Sequence, residues 1–128
     1  MLFLMAVFAL MTMSVQAQTN TPSPEVFDKV EVMPEYPGGM TAMIDFMIQN
    51  VKYPKEAEKQ KLEGRTLVSF IVEKDGSLSD IEVLKSSHPL LDKEALRVVG
   101  EMPKWKPGQQ KGKPVRVRFV LPVSFALK

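Results

Sequence analysis

Along residues 114–127, apolar and polar side chains alternate almost without interruption. Val115, Val117, Phe119, Leu121, Val123 and Phe125 fall on one face. Arg116, Arg118, Pro122 and Ser124 fall on the other, with Val120 as its apolar exception. A two-residue period marks a long strand with one buried side. The stretch 66–74 (TLVSFIVEK) is β-branched and aromatic, and 78–84 (LSDIEVL) follows the tight-turn pair Asp75-Gly76. Together they predict an antiparallel hairpin.

Helical periods lie between and before these strands. Met40, Met43, Ile44, Met47, Ile48 and Val51 recur at three- and four-residue steps, which predicts a helix of about a dozen residues. The stripe reads as a core face; an adaptable methionine-rich binding surface is the other reading. Tyr53-Pro54 predicts a second, short helix with Pro54 at its first position and Gly64 as the left-handed residue past its end. Asp92 is the expected N-cap of a third helix reaching Met102, whose apolar face is Ala95, Leu96, Val99 and Met102. Pro34-Glu35-Tyr36-Pro37-Gly38-Gly39 breaks regular structure, and Val26 to Met33 is a short strand or an extended arm.

These pieces assemble into an α+β fold. The hairpin pairs the first two strands, and a right-handed crossover runs the last strand parallel to the second. The result is a three-stranded antiparallel/mixed sheet of order 2-1-3 with helices packed on one face. The last strand then lies at an edge. Pro122 supports that position independently, because its nitrogen has no hydrogen to give a neighbouring strand. An open edge is covered by another element, paired in a homodimer, or used to capture an extended peptide.

Composition removes most chemistry. The 128 residues contain no cysteine and one histidine, so neither a thiolate nucleophile nor a thiolate metal site is available. His88 sits in a Ser-Ser-His-Pro turn without a nucleophile elbow, and Asp80 and Glu82 are ordinary solvent-facing acids of a half-exposed strand. Gly38-Gly39 and the glycines at 108 and 112 lack the residues of a phosphate loop. The reading is therefore a non-enzyme without cofactor or metal. Seventeen bases against fifteen acids leave a formal +2, which does not suit nucleic-acid coating. The charge is nonetheless uneven: residues 102–128 hold seven Lys or Arg and no acid. A basic end beside an open edge either steers an acidic partner or discourages edge-to-edge aggregation.

The ordered set Tyr53-Pro54, Ala57, Gly64, Asp75-Gly76, Leu91-Asp92, Glu94-Ala95, Trp105-Lys106-Pro107-Gly108, Gly112-Lys113-Pro114-Val115 and Phe119-x-Leu121-Pro122 resembles the TonB C-terminal domain family. Pro34 to Gly39 is similar to the Bacteroidetes-type version. The likeness spans roughly residues 34–127. It implies a periplasmic domain that takes part in energy-coupled transport by gripping the TonB box of outer-membrane transporters, with the box pairing with the last strand. By that analogy the binding edge is Val115, Arg116, Val117, Arg118, Phe119, Val120, Leu121, Pro122, Val123, Ser124 and Phe125. Tyr53, Pro54, Gly64, Asp75, Gly76, Trp105, Pro107 and Gly108 are motif positions. Tyr53-Pro54 reads as a helix start and Trp105 as a core anchor.

Residues 1–17 are expected to be a signal peptide cleaved after Ala17, or a truncated membrane anchor, and residues 18–33 a linker and arm ahead of a domain at 34–128. The chain lacks the complete membrane helix and long Pro/Lys/Glu-rich spacer of a full TonB. The expectation is an exported binding, dimerising or regulatory module, or the tail of a longer chain; ExbB and ExbD become partners only if an anchored form exists.

Overall fold

The computed structural model describes residues 25–127. The expected export signal lies outside them. Eight elements follow in chain order: β1 (Val26–Phe27), α1 (Gly39–Asn50), α2 (Lys55–Lys59), β2 (Gly64–Val72), β3 (Leu78–Lys85), α3 (Pro89–Gly100), β4 (Gly108–Gln110) and β5 (Lys113–Phe125). The sheet order is β1-β5-β2-β3, with β4 paired to β5. β2 is antiparallel to both β3 and β5, so the expected 2-1-3 arrangement forms the centre of the sheet. The sheet has five strands rather than three. The two additional ones are short: β1, which realises the strand reading of the arm over only two residues and runs parallel to β5, and β4, in the stretch whose residues predict a basic loop. Lys111 and Gly112 both take positive φ, closing β4 onto β5 in a tight turn that residue type alone gives weakly.

The core lies between the sheet and the helices. Val68, Phe70 and Val72 of β2 and Leu121, Val123 and Phe125 of β5 are buried against Leu91, Ala95, Val98 and Val99 of α3. The alternation in β5 is strict from Val120 to Phe125, while Val115 and Phe119 are half-buried, and Trp105 is the anchor expected of it. Its indole meets Phe119, Phe70 and Tyr36 edge-on, with ring centres 5.1, 5.4 and 5.9 Å away. Tyr36 is thereby docked on the sheet. The arm before it is zipped down by two antiparallel bridges, Val32 to Gln109 and Glu35 to Lys106. Phe46 of α1 packs on Tyr36 with its ring tilted and the ring centres 6.0 Å apart, so one aromatic cluster joins the arm, the first helix and two strands.

Three capping expectations are corrected. Pro54 is the N-cap of α2 rather than its first residue, its extended ψ of 133° keeping it outside the helix. The left-handed residue after α2 is Lys61, at φ 55°; Gly64 instead opens β2. A Cβ at Gly64 would sit 2.9 Å from the Ser87 Cβ, so close approach, not backbone sign, requires glycine there. His88, not Asp92, caps α3: its Nδ1 accepts the Leu90 N–H at 3.1 Å, with Pro89 starting the helix. Asp92 in the first turn accepts hydrogen bonds from the hydroxyls of Thr66 and Ser86 and the backbone N–H of Ser87, tying α3 to β2.

Gly76 sits at φ +89° with its missing Cβ 2.1 Å from the Trp105 carbonyl oxygen, and its own carbonyl accepts the Trp105 N–H at 2.8 Å. Gly112 has a similar φ, +75°, but faces open space. Gly112→Ala should cost about 1 kcal/mol in urea unfolding, the left-handed penalty alone. Gly76→Ala should cost about 3 kcal/mol or more, because backbone must also move away from Trp105.

Candidate functional site

β5 is thirteen residues long and its two halves have different neighbours. Lys113–Val115 pair with β4, and Arg116 and Val117 pair with Val26 and Phe27 of β1. From Arg118 to Phe125 the strand has β2 on one side and no strand on the other among the described residues. The expected eleven-residue edge is therefore open over its last eight residues, and Val115, Arg116 and Val117 lie in its covered part. The arm covers part of the edge, as the alternative reading held, but stops after two residues.

The direction of the free backbone groups follows from one residue. Pro122 stands opposite Leu67 of β2. With no N–H it cannot complete a hydrogen-bonded pair there, so its ring nitrogen faces away from β2. Backbone groups alternate sides along a strand, which sends the N–H and C=O of Arg118, Val120 and Ser124 the same way. The open edge thus offers three donors and four acceptors, counting the Pro122 carbonyl. Buried Leu121, Val123 and Phe125 and half-buried Phe119 spend theirs on β2.

The two arginines expected to line the edge are engaged. Arg116 donates from Nε to Glu73 Oε1 at 2.7 Å and from a terminal nitrogen to Oε2 at 3.1 Å, at the end where β1 covers the strand. Glu73 also accepts the Ser79 hydroxyl. Arg118 reaches Ser69 Oγ at 3.4 Å and lies 3.9 Å from Asp28 of the arm. Arg116 thus fixes the strand, and Arg118 stands where the covered part gives way to the open part.

The open edge forms one wall of a groove of about 870 Å³. The other wall is α1 with Val51, contributing Met40, Met43, Ile44, Met47 and Ile48; Tyr53 closes the end. Only Met43 of this stripe is buried, while Met40, Ile44 and Ile48 are 64%, 50% and 74% exposed. This corrects the core-face reading: α1 buries Met43 and partly buries Ala42, Phe46 and Met47, and presents the rest to solvent. The sequence carried a signal for this. Apolar residues occupy Met40, Ala42, Met43, Ile44, Phe46, Met47 and Ile48, more of the circumference than one buried stripe uses. Val120, 40% exposed, adds an apolar residue on the other face of the edge.

Helix α1 is held at its C-terminal end by charge. Glu94 of α3 accepts the Lys52 N–H at 2.6 Å and two hydrogen bonds from Arg97 at 2.8 and 2.7 Å. Arg97 also donates to the Asn50 carbonyl at 2.8 Å. Tyr53, just beyond, gives its hydroxyl to the Leu62 carbonyl and sets its ring edge-on to Phe125 at 5.7 Å. Tyr53 is both a helix entry and a packing residue at the groove's end. Trp105, Pro107, Asp75, Gly76 and Gly108 do not line the groove; Asp75 caps the hairpin turn through Ser77, and Gly108 is packed under Val117.

The family model for the Gram-negative bacterial TonB protein C-terminal matches residues 49–127. Protein TonB from two Helicobacter pylori strains is 33% identical over 78 residues, which is 60% of this chain and 26% of each relative. The chain therefore spans about a quarter of the length of the curated relatives it matches. Two NMR solution structures of the Helicobacter pylori TonB-CTD superpose with a TM-score of 0.54, at 28% and 29% identity. They cover 69% of this chain and 79% and 92% of theirs. The chain belongs to the TonB C-terminal family.

Two carboxylates fix the site and make it acid-sensitive. Hydrogen bonds from Arg116 and Ser79 hold the Glu73 carboxyl below its ordinary value of 4.5. Burial alone would raise Glu94, but Arg97 and the Lys52 N–H outweigh it and the net shift is again downward. Groups depressed in the folded state add stability above about pH 4.5 and lose it as pH falls through their folded values. The urea midpoint should thus be flat from pH 7 to 5 and drop below pH 4.5. Glu73→Gln should lower the midpoint at pH 7 and make the acid drop shallower.

Proposed function

We propose that this chain is a transport-coupling domain of the periplasm that binds the TonB box of outer-membrane TonB-dependent transporters. The box segment adds as a strand to Arg118–Phe125. The observation that carries this reading is the open half of β5, with Pro122 turning the free backbone groups outward beside an apolar groove. Family membership supports the transport role. Residues 1–17 direct export in this reading, and ExbB and ExbD are partners of any longer anchored form.

Binding by strand addition rests on backbone hydrogen bonds, each worth about 0.5–1.5 kcal/mol net. With three donors and four acceptors, and the cost of ordering an extended peptide, capture is weak to moderate. Such affinity suits a contact that forms and releases. The domain does no chemistry in this scheme. It supplies a rigid edge, fixed from behind by β2 and at one end by Arg116–Glu73, against which a flexible segment becomes ordered.

Titrating the chain with a peptide copied from a TonB box should shift the amide resonances of Arg118, Val120 and Ser124 and leave those of β3 in place. Val120→Pro removes one outward N–H and should weaken binding about five- to tenfold while the unfolding midpoint holds. Shifts located elsewhere, or unchanged affinity in the proline variant, would count against capture at this edge. A mass by light scattering twice that of the chain would place a second copy on the edge instead.

A further inference from the structure

The groove has two walls, and only β5 is needed to capture a strand. The other wall offers Met40, Ile44 and Ile48 in a row, exposed, and apolar. Most of α1 lies ahead of residues 49–127, the stretch that the family model matches.

The spacing of that row fits a strand. Residues four apart on a helix are separated by about 6 Å along its axis. Residues two apart on a strand, which share a face, are separated by about 6.7 Å. Two helical steps, from Met40 to Ile48, can therefore meet three successive same-face side chains with less than about 2 Å of accumulated mismatch. Methionine and isoleucine side chains absorb such a difference, methionine most easily.

The other face of the same edge is different in kind. Arg118 and Ser124 point there, and Arg65, exposed on β2, is the register partner of Ser124. Ser69 and Val120 lie between them; Glu82, in register with Ser69, is on β3, two strands in from the edge, and Glu73 is taken up by Arg116. Arg118 already has an acid near it, Asp28 of the arm at 3.9 Å. A strand laid on this edge thus finds apolar side chains on its helix side and arginines on its open side.

We infer that α1 makes the edge selective. The preferred partner is an extended peptide with apolar residues at three alternate positions, seated on Met40, Ile44 and Ile48, and acidic or hydroxyl residues between them, facing Arg118 and Arg65. This inference rests on strand capture at β5 and adds the side-chain pattern that is captured.

The test uses two synthetic eight-residue peptides of identical composition and the full chain. In one peptide, three valines alternate with aspartate and threonine; in the other, the three valines are consecutive. The alternating peptide should bind about tenfold more tightly by fluorescence anisotropy. Ile44→Ser with Ile48→Ser, both at exposed positions, should remove that preference and leave the unfolding midpoint and the weaker peptide's affinity unchanged. Arg118→Gln should weaken the alternating peptide in a salt-dependent way. Equal binding of both peptides that is still weakened about five- to tenfold in Val120→Pro overturns the selectivity while leaving strand capture in place. No shift of Arg118–Phe125 amides with either peptide overturns both.

Discussion

The fold depends on the burial of one indole. Trp105 follows α3 and precedes β4, at a point where the chain would otherwise be a loose basic connection. Its ring fills the space between Phe70 of β2 and Phe119 of β5, and Tyr36 closes over it. Aromatic pairs of this geometry add about 0.5–1.5 kcal/mol each beyond burial. Their larger effect is positional. Tyr36 carries the arm onto the sheet, Phe46 packs on Tyr36, and α1 is set alongside β5 as a result. The indole thus sets the N-terminal approach of the first helix to the open edge, while Arg97 and Glu94 hold its other end.

The edge itself reflects two opposed demands. Thirteen residues of strand with an exposed backbone invite aggregation. β4 and β1 take up the first five residues, and proline removes one donor from the remaining eight. What is left open is short, interrupted and walled. A partner must enter a groove rather than meet a flat strand, which selects flexible peptides over another folded sheet edge. The basic C-terminal segment acts in the same direction, since Arg116 is tied to Glu73 and Arg118 stands at the mouth of the open part.

Much of this was legible in the residues. Alternation in β5 named every buried position correctly because a one-residue slip would turn the whole apolar face outward. Pro122 located the edge because a missing N–H is a local fact that no tertiary contact can repair. The helix caps were read less well. His88 and Asp92 both lie at the start of α3, and which of them caps depends on whether Thr66 and Ser86 arrive to occupy the aspartate. Gly64 was assigned a backbone role because the Ser87 side chain that excludes a Cβ is more than twenty positions away. The short strand β4 depends on pairing with β5, and three residues carry too little pattern to declare it; the same pairing decides between strand and extended arm for Val26 and Phe27. The outward half of α1 is visible as excess apolar circumference, which periodicity alone assigns to the core, the commoner fate of such residues.

The attachment of the arm has a mechanical consequence. Between Val26 and Tyr36 the chain is held by a two-residue parallel pairing and by bridges at Val32 and Glu35. Tension applied at the N-terminal side therefore meets its weakest resistance first, and the arm can pay out before any load reaches the aromatic cluster. Drawn straight, those ten steps of chain measure at most about 35 Å. The domain thus carries its own slack: a pull can draw the arm out, at the cost of β1 and the two bridges, by the difference between that length and the arm's folded span, while β2, β3 and β5 stay paired.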